Sequence, residues 1–265
     1  LNKMVGEYEN WSYSYSEYSS YRNLFHSEDQ GDETLAKMKK MKRFNLGMIQ
    51  EMLESGEKLG IKAHAEVDVL RKDVKQSESL QERTNEFLAA NTLEKFDEEF
   101  SGDDRASFAK SLRESIGDLL ADLKKNPIQL EEVIASLDCL ESVLLARTVL
   151  DDITTRLPLT DWEHVYARLE KHAQLKKRQE YNKVKSEIKL AQDIKERVSD
   201  MKFKSKNSSL TMKGIQSLRD QIDIAKVNLS AEEHYITKIL DTKSSIKEEF
   251  EAIDAKKRLD LETYN

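Results

Sequence analysis

From Ile215 to Tyr264 the chain contains neither Gly nor Pro, and one apolar frame recurs at heptad spacing: Ile215, Leu218, Ile222, Ala225, Leu229, Ile236, Ile239, Ile246, Phe250, Ile253, Tyr264. This is the seam of a helix that buries a narrow stripe against other helices over a long distance. At about 1.5 Å per residue, one helix over this stretch would reach roughly 75 Å. Such a rod suits a scaffold better than a catalytic pocket.

The rest of the chain agrees with that class. Of its 265 residues 35% are charged and 38% hydrophobic, with only 8 Gly and 2 Pro. Few breakers and many charged helix formers predict an all-α fold, and the low apolar content predicts narrow seams over a thick core. The expected architecture is an elongated antiparallel helical bundle or coiled coil of five to seven helices. An N-terminal helical region over residues 1–100 precedes a bundle over 101–265, whose last part, 160–265, forms a long helical hairpin.

Along the chain, Leu1, Met4, Tyr8, Trp11, Tyr15, Tyr18 and Phe25 share one heptad frame and predict an aromatic-faced first helix. Ser27–Glu33 reads as an acidic loop. A Met-rich helix follows through Leu35, Met38, Met41, Met48, Ile49 and Met52, and another stripe runs from Val67 to Leu88. Ser101-Gly102-Asp103-Asp104 marks a break, because acidic residues suit a first helical turn. Asn126-Pro127 ends the next helix, and Pro127 suits the first position of the one after it. Beyond Leu157-Pro158, Thr160 and Glu163 have the spacing of a capping box. A helix from Trp162 to about Lys202 then leads to the polar tip Ser205–Ser209, and the final rod returns.

Charge is unevenly placed. Residues 1–160 carry about −10 and residues 161–265 about +3, with the excess of Lys and Arg concentrated between Arg168 and Lys213. This arm supplies one candidate site, a contact with an anionic membrane surface through Lys176, Lys177, Arg178, Lys183, Lys202, Lys204 and Lys206. Its alternative is an ordinary coiled-coil surface whose charges pair with acidic neighbours. Nucleic acid is disfavoured, since aromatic residues do not interleave with the basic ones and the remainder is acidic. A second candidate set, Tyr8, Trp11, Tyr15, Tyr18, Ile236, Ile246 and Phe250, would dock partner helices or a second copy. For the aromatic residues of the first helix, packing on the bundle itself is the favoured alternative.

No catalytic signature emerges. The glycines lack phosphate-loop spacing, and the histidines include no His-Glu-x-x-His pair. His164 and His172 read as solvated surface, and Cys139, among Leu137, Leu140 and Val143, reads as a small buried hydrophobe. No enzyme activity, cofactor or metal is expected. A lone cysteine, no apolar leader and no membrane-length apolar run predict a cytoplasmic, at most peripherally membrane-bound protein. A start within a helical pattern and an end without a stop signal read as a fragment of a longer protein.

Four features together carry a family resemblance: the Leu-rich stretch 130–155, the basic helix Trp162–Lys202, the polar tip Ser205–Ser209, and the closing Ile246-Lys247-Glu248-Glu249-Phe250…Lys256-Lys257-Arg258-Leu259-Asp260. From about Ile128 to Asn265 the chain resembles the later helices of BAR domains, especially those attached to sorting nexins. Pro127 and Pro158 depart from that pattern, and no phosphoinositide-binding PX domain is present. The resemblance implies a crescent-shaped dimer whose basic face lies on curved anionic membrane, and hence a non-catalytic scaffold in intracellular trafficking. The competing expectation is an elongated coiled-coil subunit of a tethering, spindle or kinetochore complex without direct membrane contact.

Overall fold

The computed structural model describes residues 2–27, 37–38, 40–61, 65–99, 105–151, 156–203 and 211–262. Among these the chain is all-α, with no strand beyond an isolated bridge between Asn45 and Gln129. Ten α-helices follow in order: α1 Asn2–Phe25, α2 Leu46–Lys58, α3 Ala65–Ala90, α4 Leu93–Glu99, α5 Arg105–Lys124, α6 Glu131–Asp151, α7 Leu159–Glu170, α8 Gln179–Phe203, α9 Met212–Ile224 and α10 Ser230–Glu262. The five to seven expected helices are therefore cut into shorter ones. By internal packing the chain divides into Leu1–Glu141 and Ser142–Asn265, a boundary inside α6.

In the first unit α1 lies on a core shared with α2 and α3. Trp11, Tyr18 and Tyr21 are buried with Ile49, Met52, Val67, Leu70 and Val74, and Phe44 plugs the gap before α2. The Met-rich helix expected through residue 52 is interrupted there. Asn45 has extended backbone, and its side chain accepts the Met48 N–H at 2.9 Å, so the helix begins anew at Leu46. Its far end is a Schellman turn: Ile61 N–H donates to the Gly56 carbonyl, Gly60 N–H to that of Glu57, and Gly60 takes φ +81°.

Gly56 has a second task. The Trp11 indole N–H donates to the Met52 carbonyl at 2.8 Å, the carbonyl that the Gly56 N–H also reaches in helical pattern. The ring thus lies against the Gly56 backbone, and a Cβ there would stand 2.9 Å from Trp11 Nε1. Ala in place of a mid-helix Gly ordinarily stabilises by about 1 kcal/mol. Here Gly56→Ala should instead destabilise, by about 1–3 kcal/mol, because it overpacks a filled site. Urea unfolding of the variant decides the sign, and a gain in stability would refute this packing argument.

Pro127 does not open the helix after it. α5 ends at Lys124, α6 begins only at Glu131, and the segment between is a strap. Buried Asn126 holds it, donating to Ser77 Oγ and to the Ile128 carbonyl at 3.0 Å each, while the Gln129 N–H donates to the Phe44 carbonyl at 2.8 Å.

In the second unit the expected pair of rods is broken once on each side. The first break lies at Lys171–Arg178, where a 3-10 turn, Ala173–Lys177, inserts Leu175 fully into the core. The second lies at Ala225–Leu229, where Ala225, Val227 and Leu229 are all buried. Lys226 N–H donates to Glu187 Oε2 at 3.1 Å and Asn228 N–H to the Leu157 carbonyl at 2.8 Å, so this turn is tied to its surroundings. The capping box does not form either. Pro158 is the N-cap, which draws Thr160 into the helix, and Glu163 accepts from Gln192 Nε2 instead. Trp162, Val165 and Leu169 of α7 and Val184, Ile188, Ala191, Ile194 and Val198 of α8 then supply one core, which α9 and the start of α10 complete. The tip Ser205–Ser209, the break at 101–104 and the acidic loop from residue 28 lie outside the described residues.

Candidate functional site

The second half of α10 is the feature on which a function can be built. Its first turns are covered: Ile236 is fully buried and Leu240 nearly so. α9 is 13 residues long against 33 for α10, about 20 Å against about 50 Å, so it runs out before α10 does. Past Lys243 the described side chains of α10 are exposed, and the apolar seam continues without cover. Ile246, Phe250 and Ile253 are 48%, 69% and 54% exposed. Spaced by four and three residues, they lie on one face of the helix. Single exposed hydrophobes are ordinary; three in seam register make a continuous exposed apolar stripe.

The other expected contact residues are mostly taken up within the chain. Trp11 and Tyr18 are buried in their own unit, and Tyr15 stacks on Trp11 with ring centroids 5.5 Å apart. They are core, because α1 has a complete apolar groove to fill against α2 and α3. Ile236 is likewise internal. Tyr8 alone of the aromatic set stays open, at 46% exposure, beside Met4 and Val5. A cleft of about 630 Å³ between α1 and α2 is lined by Trp11, Phe44, Met48 and Met52 together with Glu7, Lys42, Glu51 and Lys58.

Among the described residues the basic arm is not gathered into one patch. Lys176 and Lys177 are exposed in the 3-10 turn and Lys183 is exposed on α8. Lys202 lies near the other end of that helix, about 28 Å farther along, with its Nζ over the Tyr235 ring at 4.8 Å. Lys204 and Lys206 lie outside the described residues. Arg178 belongs to an internal ion cluster. Its Nε donates to Glu180 Oε2 at 3.1 Å, while Arg147 Nε of α6 donates to Oε1 at 2.5 Å. The Glu180 carboxylate is buried and both guanidiniums are mostly covered. Burial pushes its pKa up, but hydrogen bonds from Arg178, from its own backbone and from Arg147 outweigh this and hold it below the ordinary carboxylate range. Nothing in the sequence marked this cluster; Glu180 was one acid among a basic run.

A second buried polar cluster fixes α1. The Tyr18 hydroxyl donates to Asp73 Oδ2 at 2.7 Å, and Arg22 forks onto the same carboxylate, Nε to Oδ2 at 2.5 Å and Nη2 to Oδ1 at 3.1 Å. Burial first, then the bond to Asp73, pushes the Tyr18 hydroxyl well above its usual range, so it stays protonated as a donor.

No family model, no curated protein and no solved structure matches the chain. Among the described residues no group of three or more His, Cys, Asp or Glu is placed to hold a metal, and no helix is long and apolar enough to cross a membrane. Cys139 is buried, and His164 is exposed.

Proposed function

We propose that the chain is a non-catalytic helical scaffold that docks a partner helix on the second half of α10. The observation that carries this reading is the exposed seam of Ile246, Phe250 and Ile253 beyond the reach of α9. An amphipathic helix laid along it would bury the three side chains and extend the packing that Ile236 and Leu240 begin. Trafficking is the setting that the BAR resemblance implies. A lipid-binding arm of that type draws less support from the geometry, since Arg178 is committed to Glu180 and Lys183 and Lys202 are far apart along α8.

The test compares two variants. Ile246→Gln with Phe250→Gln and Ile253→Gln should leave helix content and unfolding midpoint nearly unchanged, since all three sites are exposed, and should abolish docking. Docking is read by a benzophenone photo-crosslinker placed at Lys243, beside the seam. It is expected to join a polypeptide in the native background and not in the seam variant. Lys176→Glu with Lys177→Glu and Lys183→Glu should leave that crosslink intact. Salt-sensitive sedimentation with phosphatidylserine vesicles, lost in the lysine variant while no polypeptide is crosslinked, would overturn the reading in favour of a membrane surface.

A further inference from the structure

The charges that flank the exposed seam say what kind of helix fits it, although Asp254, one of them, is already engaged within the chain and would have to exchange that contact. With Ile246 and Ile253 at heptad position d and Phe250 at position a, the residues bordering the seam are Lys247 and Asp254 at e, and Glu249 and Lys256 at g. All four are exposed. In an antiparallel pair, e faces e and g faces g across the interface. When Phe250 of one helix is laid against Ile253 of an identical helix, Lys247 meets the other copy's Asp254, and Glu249 meets its Lys256. Each contact occurs twice by symmetry, so one register satisfies four ion pairs and both central apolar layers. A parallel pair would set g against the e position five residues on, bringing Glu249 against Asp254 twice. The flanks therefore favour one orientation and oppose the other.

We propose that the occupant of this seam is a second copy of the chain, its α10 running antiparallel in the register Phe250 on Ile253. This rests on the helix-docking reading above and names its partner. A two-fold axis crossing the seam makes the contact isologous, the commonest symmetry for such pairs. The Lys247–Glu251 contact within the helix, 3.7 Å between well exposed side chains, is the kind of surface pair that gives way readily to a better partner. The seam is short over the described residues, so association is weak and depends on concentration.

Sedimentation velocity on the full chain tests this. The mass should rise from 30.7 kDa toward twice that value as protein concentration increases. Asp254→Lys sets two ammonium groups against each other in the antiparallel pair, the introduced one facing Lys247 of the other copy, and should weaken association about tenfold. The exchange Lys247→Asp with Asp254→Lys reverses both partners and should restore it. In a parallel pair Asp254→Lys would instead relieve the clash with Glu249 and tighten association, an outcome that overturns the proposed orientation. A dimer indifferent to both variants would place the contact elsewhere and overturn the proposal too. A single species of 30.7 kDa up to about 1 mM would also overturn it. If the crosslinker at Lys243 still joined a polypeptide in that case, the docking function would stand with a different partner.

Discussion

Asp73→Ala should destabilise the protein by about 3–4 kcal/mol, read as a shift of the urea midpoint at unchanged slope. The carboxylate is 4% exposed and takes bonds from two residues of α1. Its removal leaves the Tyr18 hydroxyl, in a fully buried side chain, without an acceptor, and a buried donor stripped of its partner costs about 1–3 kcal/mol. Arg22 also loses its fork, although at 25% side-chain exposure it can turn toward water, which limits the loss. Tyr18→Phe is the internal control. It removes only the donor and leaves Asp73 with Arg22, so it should cost about 1–2 kcal/mol. If Asp73→Ala fell within about 1 kcal/mol of the unaltered protein, the cluster would not be what holds α1 on α2 and α3.

That cluster also shows where the sequence could be read and where it could not. The frame through Trp11, Tyr15 and Tyr18 was visible, as was packing on the bundle as the favoured alternative to a partner contact. Asp73 was not visible, because it sits in the stripe of Val67, Leu70 and Val74 as one more charged residue of a helix rich in them. Only the tertiary meeting of α1 and α3 turns it into an acceptor. The helix breaks in the second unit tell a similar story with a missed clue. Between Leu169 and Tyr181 the expected seam positions held His172 and Lys176, whereas Leu175 lay out of frame. A turn resolves this by aiming Leu175 inward and the lysines outward. Likewise Val227 fell outside the frame of Ala225 and Leu229, yet all three are buried in the turn between α9 and α10. Absence of Gly and Pro predicts that a helix is permitted; it does not make one continuous when packing gains more from a turn.

The exposed half of α10 was legible as a seam but not as an open one. Ile246 and Phe250 follow the same rule as Ile215 and Ile222, and no local feature separates a buried stripe from a bare one. The difference is set by the length of α9, which depends on the break at Ala225. Chain topology thus leaves this stripe bare. The helix persists there through good helix formers and exposed i,i+4 pairs such as Lys247 with Glu251. A helical stretch of about 14 residues without tertiary cover is only marginally stable in water, so a bound helix should also protect residues 241–254 from amide exchange.

Glu180→Gln should cost about 2–4 kcal/mol at pH 7, and the size of that cost should depend on pH in a specific way. The substitution keeps the shape but removes the charge that balances two mostly covered guanidiniums, from Arg147 and Arg178. Because the folded-state pKa of Glu180 lies below its unfolded value, its carboxylate contributes stability that is fully present above the unfolded pKa. That contribution is lost as pH falls through the folded value, a window beginning near the ordinary glutamate pKa of about 4.3 and extending downward. Other carboxylates titrate alike in both proteins, so the difference between them isolates this one group. Unfolding curves at matched pH should therefore show a gap that is constant from pH 7 to about 5 and narrows in more acid solution, as protonated Glu180 comes to resemble glutamine. A gap that stays the same down to about pH 3 would mean that the loss comes from amide packing and not from the ion cluster.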